Sequence, residues 1–168
     1  LSRQKEYGYK IFTPSSARDE TFQKELAETG VDIAITAAYG QILDDAFLKI
    51  ARRGTINIHP SKLPLLRGAT PVQTALLMGF EKTAVTTLFT VKKLDAGPVI
   101  DQIEVDILKG ETSGALMLRL FEVGANRLEQ VLEKLRDNNF SGEVQDEEKV
   151  THCEKIEKID GRICWQMM

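Results

Sequence analysis

Asn57 and His59 are the two side chains whose types and spacing best suit chemistry. They lie two residues apart at the end of a short apolar run that begins at Thr55, and Pro60 follows them directly. Residues i and i+2 of a strand point to the same face, and a proline ends a strand because it cannot donate to the neighbouring strand. The spacing therefore predicts a carboxamide and an imidazole side by side where a strand leaves its sheet.

A carboxylate follows a second apolar run, at Asp95 in residues 94–98. An imidazole that accepts and returns a proton needs a partner that fixes its tautomer, and a carboxylate is the usual one. A carboxamide can donate to an oxygen that becomes negative in a transition state. Asn57, His59 and Asp95 together fit attack of a nucleophile on a polarised carbonyl, with no covalent enzyme intermediate. The alternative for His59 is a structural histidine that is merely hydrogen-bonded.

Composition restricts the class of protein. The 168 residues are 42% hydrophobic and 28% charged, which is typical of one folded domain with a sizeable core. A net charge of −3 argues against binding mainly by neutralisation of phosphates. A nucleic-acid substrate stays open if a basic patch, or a part not present here, holds it. No apolar run reaches 18 residues, so we expect no transmembrane helix, and no signal peptide is visible.

The cysteine content also argues against a disulfide framework or a metal site. Cys153 and Cys164 are the two cysteines of the chain. Together with His152 they leave a structural zinc site one ligand short. We therefore predict chemistry without a metal.

Strand-like and helix-like segments alternate up to the strand that carries Asn57. The strand-like runs cover residues 7–12, residues 31–36 and a segment from Thr55. Helices are predicted between them, the first capped at Ser16 with Asp19 and ended by Gly30, the second capped by Asp44 or Asp45. This alternation predicts right-handed crossovers and an open parallel sheet.

The predicted sheet also tells where a ligand binds. Ligands of open α/β sheets bind in the crevice outside the carboxyl ends of the strands. The loop Ala38–Gly40 follows the strand of residues 31–36, and His59 ends the next strand. We expect Tyr39, Asn57 and His59 to face one crevice.

The second half of the chain is predicted to form a helix, two strands and a long helix. Thr70, Pro71 and Gln73 predict a capping box at the start of a helix that Gly79 ends. Residues 83–91 and 98–107 are rich in Val, Ile and Thr and predict two strands joined by a hairpin-like connection that carries Asp95. A long amphipathic helix is predicted from residue 113 to about residue 136. Its apolar stripe comprises Leu116, Leu120, Leu128, Val131, Leu132 and Leu135.

The last part of the chain differs in character. Residues 141–162 are charged and offer little to bury. We predict a domain over residues 1–140 and a linker over residues 141–168, with Ile163 and Trp165 apolar enough to dock on another surface.

In this order the residues resemble the folate-dependent formyltransferase family. The matching segments are Ala38–Gly40, Asn57–Pro64, Arg67–Gln73 and Leu94–Gly97. The segment Gly68–Gln73, residues 144–146 with Thr151, and residues 163–165 favour the branch that acts on methionyl-tRNA. The likeness covers roughly residues 7–165, nearly the whole chain.

The resemblance implies a three-layer, Rossmann-like α/β fold with a mostly parallel sheet. It implies transfer of a formyl group from 10-formyltetrahydrofolate to the amino group of methionine on initiator tRNA, at the start of translation. The implied partners are the folate cosubstrate and initiator methionyl-tRNA. The implied protein is a monomer without a metal or membrane attachment, cytoplasmic or, in a eukaryote, organellar.

The resemblance also assigns residues. The catalytic trio of the family falls on Asn57, His59 and Asp95. The positions implied for folate binding are Tyr39, Gly40, Ser61, Lys62, Leu63 and Pro64. Lys62 stands where the family usually has an apolar residue, and Pro98 where it often has an acid.

The family normally carries a strand–helix–strand unit before the matched segments and a C-terminal β-barrel domain after them. The resemblance therefore predicts that the chain is a fragment with an incomplete sheet. Two alternatives stay open. One is another folate-dependent formyltransferase or hydrolase, with a sugar amine or water as acceptor. The other is a catalytically silent folate-binding fragment.

Overall fold

A computed structural model describes residues 7–137 and 140–162. The helices are α1 (Glu20–Glu28), α2 (Asp45–Leu48), α3 (Pro71–Leu77) and α4 (Ser113–Lys134). The strands are β1 (Ala34–Ala37), β2 (Thr55–His59), β3 (Arg67–Gly68), β4 (Lys82–Phe89), β5 (Val99–Asp106) and β6 (His152–Cys153). Two 3₁₀ helices cover Glu147–Lys149 and Lys158–Gly161.

The main sheet has the strand order β1-β2-β4-β5. β2 pairs parallel with β1, and β4 pairs antiparallel with both β2 and β5. Three of the four strands therefore run in one direction, and the predicted mostly parallel α/β sheet is confirmed. β4 runs in the opposite direction because only residues 90–98 join it to β5, and strands joined by so short a connection pair antiparallel.

Helix α4 covers one face of this sheet and holds β2 in place. Its residues Leu116 and Leu120 are fully buried and pack with Ile58, Val85 and Val105 in one apolar cluster. The helix also lies very close to β2 and β4 at Gly124. A Cβ there would lie 2.8 Å from Ile58 Cγ2 and 3.1 Å from Val85 Cγ2, so only glycine fits without rearrangement. The predicted helix is confirmed, except that Leu132 of its stripe is 36% exposed.

Three predictions about single elements are wrong. Residues 7–12 form no strand, since Tyr9 is 67% exposed and Phe12 packs against Phe22 instead of against a sheet. Helix α1 is capped by Asp19 instead of Ser16, since the Asp19 carboxylate accepts from Phe22 N at 2.9 Å. Thr70 makes no capping hydrogen bond, because its hydroxyl donates to the Glu154 carbonyl.

The capping box predicted for α3 is therefore absent. The side-chain oxygen of Gln73 is buried without a hydrogen-bond partner among the described residues. The ends predicted at Gly30 and Gly79 are confirmed, because α1 and α3 stop two residues before them.

The segment after α4 lies against the domain, although we expected it to bury little. β6 pairs with β3, Glu143 forms two backbone hydrogen bonds of 2.7 Å with Val99, and Gln145 and Cys153 are buried. Its buried side chains are single residues at irregular spacing, so the sequence shows no periodicity there. The boundary at residue 140 stays a prediction, and Ile163 and Trp165 lie outside the described residues. No described helix is both long and apolar enough to cross a membrane.

Candidate active site

The carboxyl ends of β1 and β2 open into a cavity of about 570 Å³. Because these two strands are parallel, the residues that follow them meet at the same edge of the sheet. Five of the residues predicted for the site line this cavity: Tyr39, Gly40, Asn57, His59 and Asp95. The structure thus brings these five residues to one cavity, and their roles in binding and catalysis stay predictions.

His59 is the last residue of β2 and only 4% exposed. Its Nε2 lies 3.1 Å from the carbonyl oxygen of Leu66. A carbonyl can only accept a hydrogen bond, so Nε2 carries a hydrogen. Nδ1 lies 3.6 Å from Asp95 Oδ2. Nδ1 is therefore the nitrogen that can exchange a proton in the cavity, with a carboxylate beside it.

Asp95 is held in an unusual backbone conformation. Its φ is +50°, in the left-handed region that non-glycine residues rarely adopt and that is concentrated at functional sites. The Gly68 N–H donates to its carboxylate at 3.0 Å, and Gln145 Nε2 donates to its carbonyl at 2.8 Å. Gly97 permits the close approach of this loop to β4, because a Cβ there would lie 1.7 Å from the Phe89 carbonyl oxygen. These backbone contacts thus fix the position and orientation of the Asp95 carboxylate.

The amide of Asn57 is oriented by a residue that the sequence analysis missed. Thr36 lies opposite Asn57 in the β1–β2 register, and its hydroxyl donates to Asn57 Oδ1 at 3.0 Å, with the Ile56 carbonyl as a second, longer acceptor at 3.2 Å. This hydrogen bond leaves the Nδ2 hydrogens of Asn57 for a partner in the cavity. Thr36 ends the strand predicted over residues 31–36, so a polar residue at that end was the available signal.

The predicted folate loop does not join this cavity. Ser61 is 1% exposed, and its hydroxyl donates to the Leu65 carbonyl at 2.7 Å. Lys62 is exposed and pairs with Glu104. Leu63 and Pro64 line a second cavity of about 870 Å³, beside β5 and the segment after α4.

Residues 61–64 do not reach the first cavity because two hydrogen bonds hold them against strands β4 and β5. The Ser61 carbonyl accepts from Thr86 Oγ1 at 2.6 Å, and the Leu63 carbonyl accepts from Gln102 Nε2 at 3.0 Å. The structure thus separates Ser61, Lys62, Leu63 and Pro64 from Asn57. Their assignment to folate stays a prediction.

Two further polar residues support the Asp95 loop and were missed, Arg67 and Gln145. Arg67 is fully buried, and its guanidinium contacts the side chains of Gln145 and Glu147. Hydrogen bonds from Lys93 and Arg67 lower the pKa of Glu147 to about 2. Within residues 7–137 and 140–162, no group of three His, Cys, Asp or Glu side chains is arranged to hold a metal ion.

The chain is similar to known proteins. The family model described as formyl transferase matches residues 2–132. A methionyl-tRNA formyltransferase of Methylococcus capsulatus is 38% identical over 161 residues, which are 96% of this chain and 52% of that protein. One from Nitratidesulfovibrio vulgaris is 39% identical over 160 residues, 95% of this chain and 48% of that protein. The chain thus spans about half the length of the curated relatives it matches.

Solved structures agree with this similarity. The phosphoribosylglycinamide formyltransferase of Anaplasma phagocytophilum superposes with a TM-score of 0.73 at 26% identity, over 88% of this chain and 76% of that one. A sugar N-formyltransferase of Shewanella sp. gives a TM-score of 0.67 at 22% identity, over 82% of this chain and 54% of that one, which supports the fold alone. The family model covers most of the chain, and this chain belongs to the formyl transferase family.

Proposed function

We propose that this chain carries the catalytic residues of an enzyme that transfers a formyl group from 10-formyltetrahydrofolate to the amino group of initiator methionyl-tRNA. The observation that carries the proposal is the meeting of Asn57, His59 and Asp95 in one cavity, with 3.6 Å between His59 Nδ1 and the Asp95 carboxylate. The names of the relatives at 38–39% identity support this acceptor.

The geometry suits attack of an amine on a formyl carbon. As the new N–C bond forms, the electron pair of the formyl C=O bond moves to its oxygen, and Asn57 Nδ2 donates to that oxygen. His59 Nδ1 takes the proton that the amine loses, and Asp95 stabilises the imidazolium. The bond between the formyl carbon and the folate nitrogen then breaks, and that nitrogen takes up the proton. The products are a formylated amine and tetrahydrofolate.

The remaining parts of the proposal concern location, assembly and domain limits. We propose a cytoplasmic enzyme, or an organellar one in a eukaryote, that acts as a monomer. The catalytic domain is proposed to cover residues 1–140. Residues 141–168 are proposed to lead towards a further domain.

A second candidate is formyl transfer to a small amine. It is favoured by the superposition on phosphoribosylglycinamide formyltransferase at 26% identity. The trio would perform the same bond changes for either amine, and would also serve hydrolysis if water were the acceptor. The acceptor is therefore the point that an experiment must decide.

The experiment offers the full-length protein 10-formyltetrahydrofolate and one acceptor at a time. The acceptors are initiator methionyl-tRNA, glycinamide ribonucleotide, a sugar amine, and water alone, with tetrahydrofolate release and formylated product measured. We expect product with methionyl-tRNA at least a hundred times faster than with the other acceptors. Faster transfer to another acceptor would contradict the proposed substrate. Folate binding without transfer to any acceptor would contradict the proposed function and support a silent folate-binding protein.

A further inference from the structure

The guanidinium of Arg67 determines how the Gln145 side chain is oriented. Arg67 Nε and Nη2 donate to Gln145 Oε1 at 3.0 and 2.8 Å. Both residues are buried, at 0% and 7% exposure. A guanidinium has only donors, so the oxygen of the Gln145 amide must face it. The two hydrogens of the amide must therefore point the opposite way.

Those two hydrogens hold the loop that carries Asp95. Gln145 Nε2 donates to the Asp95 carbonyl at 2.8 Å and to the Gly97 carbonyl at 2.7 Å. All the hydrogen-bonding groups of the Gln145 amide are thus occupied. The two carbonyls belong to Asp95, with its φ of +50°, and to the residue two positions later. Aspartate adopts this conformation more readily than most residues, and here a hydrogen bond from Gln145 holds it.

The backbone next to Arg67 contacts both members of the proposed proton-transfer pair. The Leu66 carbonyl accepts from His59, and the Gly68 N–H donates to the Asp95 carboxylate. The backbone of Leu66 and Gly68 supports the two side chains, while the Arg67 side chain supports the Asp95 loop through Gln145. Three consecutive residues therefore tie together the two groups whose separation matters for proton transfer.

Stability alone does not explain a buried arginine here. Its Nη1 is buried without a hydrogen-bond partner among the described residues, and Glu147, its one carboxylate partner in the described parts of the chain, has a side chain that is 57% exposed. A protein with an incompletely paired buried charge is often no more stable than the same protein with an apolar residue in its place. An alternative reason for the buried Arg67 is that it controls the geometry of the Asp95 loop.

We propose that Gln145 and Arg67 are positioning residues for formyl transfer. Arg67 orients the Gln145 amide, and that amide keeps the Asp95 backbone in the conformation that aims its carboxylate at His59. The inference rests on the proposed function for its kinetic consequence, while its structural consequence can be measured without any turnover.

The discriminating variant is Gln145→Glu in the full-length protein. A glutamate has nearly the same shape and pairs with Arg67, but it has no hydrogens for the Asp95 and Gly97 carbonyls. Its second oxygen would face those two carbonyl oxygens and displace the loop. We expect kcat to fall about 10²-fold, the effect of displacing a reacting group by about 1 Å, while KM changes less than about twofold.

The matched control is Glu147→Gln, which still accepts from Arg67 and leaves Gln145 unchanged. Its kcat should stay within about twofold of the unchanged protein. A second variant, Arg67→Met with Gln145→Leu, removes the pair while filling its volume with apolar groups, which often preserves stability. The kcat of this double variant should fall as far as that of Gln145→Glu. If Gln145→Glu does not fold, the double variant alone tests the inference.

The structural readout is the NMR resonance of the Gly68 amide, which donates to the Asp95 carboxylate. Asp95→Ala, which removes the acceptor of the Gly68 N–H, gives the reference displacement of that resonance. We expect Gln145→Glu and the double variant to displace it, and Glu147→Gln to leave it unchanged. An unmoved resonance, or a kcat within about twofold in both test variants, would overturn the inference. If the unchanged protein formylates no acceptor, the proposed function fails, and the Gly68 resonance alone decides the positioning role.

Discussion

The imidazole of His59 lies between two oxygens with different roles, the Leu66 carbonyl at 3.1 Å from Nε2 and the Asp95 carboxylate at 3.6 Å from Nδ1. The first contact fixes the ring and its tautomer. The second places Nδ1 beside a carboxylate, and both residues line the cavity. This arrangement assigns proton transfer to Nδ1 and charge stabilisation to Asp95.

Asp95→Asn should slow transfer while leaving the fold in place. The asparagine oxygen can still accept from Gly68 N, but the charge next to His59 Nδ1 is lost. We expect kcat to fall about 10²-fold or more, within the range for a positioned acid–base group, with little change in KM. Steady-state kinetics of the full-length variant provide the measurement. A kcat within about threefold of the unchanged protein would remove Asp95 from the mechanism.

Thr36→Val tests the orientation of Asn57. Valine keeps the shape of threonine but cannot donate to Asn57 Oδ1, so the amide loses the contact that directs Nδ2 into the cavity. We expect about a tenfold loss of kcat, smaller than the 10²–10³ expected when an oxyanion donor itself is removed. Thr36→Ser is the control, because it keeps the hydroxyl and should retain most activity. Equal activity of the valine and serine variants would show that Thr36 has no such role.

Gly124→Ala tests the close approach of α4 to the sheet. The added methyl group would meet Ile58 Cγ2 at 2.8 Å, and overpacking of this kind costs about 1–3 kcal/mol. Gly114→Ala in the first turn of the same helix is the control, since a Cβ there meets no atom within 4 Å. Urea unfolding should show the first variant less stable than the unchanged protein and the second at least as stable. Equal stability of the two variants would contradict this packing.

The acid dependence of stability should report on Glu147. Its pKa is about 2 in the folded protein, below its ordinary value of 4.5, because Lys93 and Arg67 bond its carboxylate. A lowered folded-state pKa contributes stability that is complete above about pH 4.5 and is lost as the pH falls towards 2. The difference in free energy of unfolding between the protein and Glu147→Gln should therefore shrink over that range. A difference that does not change between pH 6 and pH 2 would show that the carboxylate is not held in this way.

Much of the site could be predicted from the sequence because it depends on local rules. The i, i+2 spacing of Asn57 and His59, the stop at Pro60 and the parallel order of β1 and β2 are sufficient to place both residues at one edge. The apolar residues of α4 that recur at helical spacing likewise predict which side of this helix is buried in the core.

The supporting contacts could not be predicted, because they join residues far apart in the chain without any periodic pattern. Arg67 and Gln145 are 78 positions apart, and each is a single buried polar residue. Residues 61–64 could not be placed for a different reason. Their resemblance to a family motif identifies the loop, but it does not show that hydrogen bonds from Thr86 and Gln102 hold the loop on the sheet.

The central claim is that His59 exchanges the proton of the attacking amine, and His59→Asn tests it most directly. Single-turnover transfer by the full-length protein, saturated with 10-formyltetrahydrofolate and methionyl-tRNA, isolates the chemical step. The account predicts a rate 10² to 10⁴ times lower with unchanged circular dichroism and folate affinity, the range for a general acid–base group. A single-turnover rate within tenfold of the unchanged protein, with the fold intact, would contradict it.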